Sequence, residues 1–175
     1  LVRLTLPVVL AEIDWIVSLA KLKTHHWAGA TLAMKNLFGL MPGSFYGWPK
    51  NVLHYAGLQE SILDINATVR PQFAIVDGIV GMEGDGPILG TAKTAGVLVV
   101  GTNLPSVDAT AARVMGLDPA RIRYLAAAGG WLGPIAEEAI HQVGETLASV
   151  RTPFELVERI PAHKDLLDKE SGAGY

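Results

Sequence analysis

Apolar and polar positions follow two different periods along this chain. In "IDWIVSLAKLKTH" the apolar residues run almost unbroken over residues 15–20 before the chain turns polar. That is the pattern of a buried strand leading into a polar loop. "TLAMKNLFG" follows as a short helix, with Thr31 as an early or capping residue and Gly39 as its stop. "MPGSFYGWP" is loop, punctuated by glycine and proline. Over residues 50–70, Leu58, Ile62, Ile65 and Val69 recur at i, i+4, i+7 and i+11, one face of a helix. Pro49 sits where such a helix begins and Pro71 where it must end.

Further on, residues 73–76 predict a second short strand, followed by a loop rich in glycine and acid, "DGIVGMEGDGP". Residues 97–100 predict a third strand, and about 105–115 the helix after it. "PARIRYLAAAGG" reads as a short helix closed by two glycines, "PIAEEAIHQVG" as another, and "SGAGY" as a frayed end. Strands alternating with helices predict an α/β fold, a single domain with a mainly parallel sheet and flanking helices. That domain takes residues 1–154; residues 155–175 read as a C-terminal extension with a partly disordered tail.

This reading has a geometric consequence. In open α/β sheets, ligands bind outside the carboxyl ends of the strands. The three predicted strands end in the most polar segments of the chain. The first ends in Lys21, Lys23, Thr24, His25 and His26, the second in Asp77, Glu83 and Asp85, the third in Thr102, Asn103, Ser106 and Asp108. If the strands are parallel, all three segments share one edge.

The chemistry on that edge has several readings. Imidazole and carboxylates together suit a divalent metal, which makes His25, Glu83 and Asp85 the candidate ligands, although their spacing matches no established metal motif. The competing reading has the histidines satisfying backbone carbonyls in a turn. Lys23 and Lys35 suit an anionic ligand as point charges, and a helix starting near Thr31 would favour the same anion; otherwise they are surface residues or partners of the acidic loop. The acids of "DGIVGMEGDGP" suit a hard cation, a lysine partner or a base, or simply a tight solvent loop. Asp108 falls in the first turn of a helix, where the dipole stabilises a carboxylate. "GTNLPSVDATAARVMG" is neither a P-loop nor a dinucleotide fingerprint, because Gly101 is the only glycine in its turn.

Composition narrows the partners. The chain has 175 residues, half of them apolar and 18% charged, with 14 basic against 17 acidic side chains and a formal charge of -3. This is a globular composition with no electrostatic footprint for nucleic acid. No uncharged run is long enough to span a membrane, and no basic amphipathic stretch points to a membrane surface. There are no cysteines, so no cysteine-ligated iron–sulfur cluster, thiolate zinc site or disulfide belongs to this chain. Arg3, Glu12 and Asp14 interrupt the apolar start, unlike a signal peptide; the expected compartment is the cytoplasm. The chain opens on Leu1 rather than Met, as a fragment of a longer protein would.

The segments "LAKLKTHHWAGATLAMKNLFGLMPG", "IVDGIVGMEGDGPILG" and "GVLVVGTNLPSVDATAARVMGLDP" occur in that order, with "VGETLASVRTPF" near the end. Together they resemble the family called domain of unknown function 362, over roughly residues 13–154. The resemblance implies a prokaryotic protein with no established general reaction. Many members carry ferredoxin-like iron–sulfur segments, which implies a redox setting; this chain, without cysteine, departs from them, so any cluster would belong to a partner or to another segment. Carried over by position, the family-like polar residues are Lys23, Thr24, His25, Lys35, Asn36, Asp77, Glu83 and Asp108.

The expectation is therefore an α/β protein that binds a metal ion or a small anionic ligand, in redox-linked metabolism. His25, Lys35 and Asp77 would be catalytic if it is an enzyme, and Lys23, Thr24, Asn36 and Asp108 would bind the ligand. The alternative is a non-catalytic accessory module serving an iron–sulfur partner. A homo-oligomer fits either reading.

Overall fold

A computed structural model describes residues 1–48 and 50–168. Pro49 as a helix opener and the frayed "SGAGY" lie outside the described residues. After a 3-10 turn at Val8–Ala11, the elements are β1 (Val17–His25), β2 (Gly29–Thr31), α1 (Ala33–Asn36), α2 (Gly43–Tyr46), α3 (Asn51–Tyr55) and α4 (Leu58–Val69). They continue with β3 (Phe73–Glu83), β4 (Thr91–Gly101), α5 (Leu104–Val114), α6 (Arg123–Ala128) and α7 (Leu147–Val150).

The strands form one sheet in the order β2-β1-β3-β4. Only the central β1–β3 junction is parallel; β1–β2 and β3–β4 are antiparallel. The α/β class and the flanking helices hold, whereas the mainly parallel sheet does not. The reason is local. Two of the segments read as polar loops are strands that fold back as hairpins, and hairpins join antiparallel neighbours. Lys23, Thr24 and His25 pair with Thr31, Ala30 and Gly29. The acidic segment stays in β3 as far as Glu83, which pairs with Thr91.

The hairpin also moves the third polar segment. Ala74, at the start of β3, pairs with Gly101, at the end of β4. Thr102, Asn103 and Ser106 therefore follow the end of β4 beside the start of β3, at the opposite edge from His25 and Glu83. The single shared edge expected from a parallel sheet breaks up.

The helices bury one face of the sheet. Ser18, Ala20, Leu22, Ala74 and Val76 are buried with Ile62, Ile65, Val107 and Ala111. On the other face, Leu19, Ile75 and Val100 line up across three strands, with Leu19 and Val100 exposed. The long amphipathic helix is interrupted at Gly57 (φ 112°), giving α3 and α4, and ends at Arg70 in the left-handed region. "PIAEEAIHQVG" forms only a 3-10 turn, Glu137–Ala139, with no buried residue; a helix this short needs a packed face to persist. The extension after residue 154 packs on the domain. Ile160, His163 and Leu166 are buried, and Asp118 N–H donates to the Leu166 carbonyl at 2.8 Å.

Candidate functional site

The end of β1 and the turn into β2 are organised by His25. Its Nδ1 accepts the backbone N–H of Trp27 at 3.0 Å and of Ala28 at 3.2 Å. An imidazole accepting at Nδ1 carries its proton on Nε2. Burial, and then the positive charges of Lys35, His26, His54 and Lys23, push its pKa down to about 3. His25 is thus a neutral ring that accepts from two backbone N–H groups of a turn, set among lysine and histidine side chains.

Those neighbours form a cluster. Lys35, in α1, is only 9% exposed. Burial, then Lys50 and Lys23, lower its pKa to about 8. Its Nζ lies 3.9 Å from the centre of the Phe38 ring, a cation–π contact that offsets part of the desolvation. Lys23 is half-buried, and burial lowers its pKa as well. It pairs in the ladder with Thr31, whose buried hydroxyl has no hydrogen-bond partner. Lys50 donates to the carbonyls of Phe38 at 2.8 Å and Gly39 at 3.3 Å. His54 lies one turn on, its Nδ1 3.0 Å from the Lys50 carbonyl, with its ring against Trp27 and Phe38. Among the described residues no carboxylate forms an ion pair with Lys23, Lys35 or Lys50.

The structure thus brings His25, Lys23 and Lys35 together and gives the other predicted residues different work. Thr24 donates to the Gly84 carbonyl at 2.8 Å, tying β1 to the β3–β4 turn. That turn passes so close that a Cβ on Gly86 would run into the Thr24 carbonyl, which is why glycine sits there. Asn36 donates to Ser18 Oγ and to the Leu19 carbonyl, stitching α1 to β1. Asp77 pairs with Lys21 at 2.6 Å and accepts the Ile79 N–H, contacts that hold its pKa below the usual carboxylate range. Lys21 and Asp77 are ladder partners in the row beside Leu19 and Ile75, apart from the lysine cluster.

Asp108 is fully buried. Its Oδ1 accepts from Ala33 N–H at 2.8 Å and its Oδ2 from Met34 N–H at 3.0 Å. It caps α1 from α5, so these N–H groups are already engaged, and Thr31 is not the cap. Burial raises its pKa to about 7 against the opposing pull of the two N–H bonds.

The three proposed metal ligands also have separate partners. Glu83 accepts from Glu155 N–H at 2.9 Å and pairs with Lys93 at 3.2 Å. Asp85 pairs with Arg159 at 3.3 Å and faces His26 at 3.7 Å. Among the described residues, no three or more histidines, cysteines and carboxylates converge as a metal group. A cavity of about 590 Å³ lies elsewhere, between β4, α5 and residues 139–147. Asn103 and Ser106 line it and are bonded to each other.

Sequence reasoning missed Lys50, His54 and the role of the Thr31 hydroxyl. A signal was present. Residues 15–59 hold four lysines and three histidines and no aspartate or glutamate, in a chain of net charge -3. A basic stretch of that length inside an acidic protein leaves its lysines without local partners.

Fold and cluster together define an α/β domain on a mixed sheet, with a basic, partly buried site where β1, β2 and α1 meet. Residues 1–113 match the family described as Domain of unknown function (DUF362), and the chain belongs to that family. The matched segment contains the whole basic cluster and Asp108. A thylakoid-associated protein of Synechocystis sp. is 31% identical over 121 residues, 66% of this chain and 37% of the relative. The chain thus spans well under half the length of that curated relative. No solved structure matches the chain. No helix among the described residues is long and apolar enough to cross a membrane.

Proposed function

We propose that this domain binds a small anion, phosphate-like or carboxylate-like, between Lys23, Lys35 and the Thr31 hydroxyl, in the cytoplasm. One observation carries this reading: Lys35 is only 9% exposed and has no carboxylate partner among the described residues, and the buried Thr31 hydroxyl, opposite Lys23 in the ladder, has no hydrogen-bond partner. Buried charges are ordinarily paired, and buried polar groups hydrogen-bonded. A bound anion would supply both partners at once. Lys23 and Lys50 add to the positive potential, and His25, held neutral, organises the turn without competing for the anion. This reading favours the anionic ligand over the metal ion. It is compatible with an enzyme and with an accessory module alike, because it concerns what is held and not what is done to it.

Titration calorimetry with sulfate, inorganic phosphate and citrate tests the proposal. At least one should bind at a single site. Lys35→Met, which keeps the apolar stem, should weaken it by roughly tenfold or more, in line with the 1.5–3 kcal/mol of a charge-assisted hydrogen bond. An unchanged melting temperature of the variant would show that the loss is local. No heat from any of the three anions, or equal affinity in the variant, would overturn the reading.

A further inference from the structure

The basic cluster has an unusual border. Trp27 is 56% exposed, Phe45 63%, Trp48 82%, Val52 57% and Tyr55 88%. These residues come from three places: the β1–β2 turn, the segment of α2, and α3. Two of them touch the cluster directly. Trp27 packs edge-on against His54 at 5.2 Å, and Lys50 Nζ lies 5.7 Å from the Trp48 ring. Val52 and Tyr55 are three apart on α3 and so share a face; buried Leu53 anchors that helix to the core.

Exposed aromatic side chains next to lysines are the composition of a membrane–water interface. Tryptophan and tyrosine settle at the headgroup level, and lysine neutralises anionic lipid. Charge complementarity identifies the occupant. Lys23, Lys35 and Lys50 form no ion pair with a carboxylate among the described residues, and Asp85, the acid that faces His26 beside Trp27, is paired with Arg159, so an anionic bilayer would meet more positive than negative charge at this border. A partner surface recognised by apolar contact alone would leave the three lysines unmatched.

We infer that this aromatic border, with the lysine cluster behind it, is a docking surface for an anionic lipid bilayer, the headgroup phosphate occupying the anion site. The inference rests on the anion-binding reading and adds to it the source of the anion. The pattern escapes a scan for basic amphipathic helices because its members are separated in sequence and come together only in the fold.

Co-sedimentation with vesicles tests it, using phosphatidylglycerol mixed with phosphatidylcholine, phosphatidylcholine alone, and glycerol phosphate in solution as competitor. The protein should sediment with the anionic vesicles and not with the neutral ones. The double variant Trp48→Ala, Tyr55→Ala should lose at least about fivefold in vesicle affinity while binding sulfate as the wild type does. Lys35→Met should lose about fivefold on vesicles, as expected for one lysine near an anionic surface, and should also lose the soluble anion. Binding of soluble anions without vesicle binding would overturn the docking surface and leave the anion site standing. Binding to neither would overturn both. Equal binding to neutral vesicles, or a double variant that sediments as well as the wild type, would also overturn the docking surface.

Discussion

At the scale of single residues, the strongest constraint falls on His25. Its Nδ1 holds two backbone N–H groups at 3.0 and 3.2 Å, so protonating that nitrogen would break both bonds in a place where water cannot replace them. Its folded pKa of about 3 lies below the unfolded value near 6.5. A base with a depressed folded pKa contributes stability above its unfolded pKa and loses it as pH falls towards the folded one. Long-range 1H–15N spectra should therefore show His25 as the Nε2–H tautomer from pH 8 down to about 4, with no midpoint near 6. A midpoint near 6 would contradict the geometry. His25→Ala should cost roughly 1–3 kcal/mol in chemical denaturation, the usual penalty for leaving buried donors unmatched. The choice of His25 over His26 was legible only through the family resemblance, because alternation along an extended segment does not say which of two neighbours faces a site. Its function as an acceptor for the turn was not, because that depends on how tightly the chain reverses at residues 26–28.

Between elements, the informative contact is Asp108. The sequence placed this carboxylate in the first turn of its own helix, where the dipole would welcome it. It instead crosses to cap α1, a helix too short to hold its own first turn. Nothing local reveals this, because the two helices are 75 positions apart at the bond concerned. The same limit explains the sheet. The alternation of strands and helices was readable, but the direction of β4 depended on a hairpin hidden inside a glycine-rich acidic run. The Asp108 contact has a pH signature. A carboxyl raised to about 7 in the fold, from an ordinary value near 4, binds its proton more tightly when folded. Its contribution to stability is complete below pH 4 and is lost as pH rises to about 7. Asp108→Asn cannot titrate. It should be less stable than the wild type at pH 4, having exchanged one acceptor oxygen for an amide. The gap should narrow towards pH 8 by a few kcal/mol, at about 1.4 kcal/mol per pKa unit. Urea denaturation of both proteins at pH 4, 6 and 8 measures this gap. Parallel stability curves would show that the buried carboxyl does not titrate in this window.

For the whole molecule, the organising feature is the separation of charge. The chain carries a net -3, yet residues 15–59 contain no acid, and the fold gathers that stretch around one buried lysine. Of the polar candidates drawn from the sequence, Lys23, His25 and Lys35 converge, whereas Asp77, Asn36 and Asp108 are absorbed by the architecture. Convergence is a property of topology, and β4 runs the wrong way for the edge the sequence suggested. What the charge separation does give is a titration that reports on the site from any distance. Lys35 has a pKa of about 8 because burial and two neighbouring lysines oppose its charge. Anion affinity should therefore fall as pH rises through 8, by roughly tenfold between pH 7 and pH 9. Sulfate is the probe of choice, because its own charge is constant over that range, so the titrating group must belong to the protein. Lys35→Arg, charged throughout, should flatten the profile even if its absolute affinity differs. A wild-type profile that is flat from pH 7 to 9, or one unchanged by Lys35→Arg, would mean that a group other than Lys35 holds the anion.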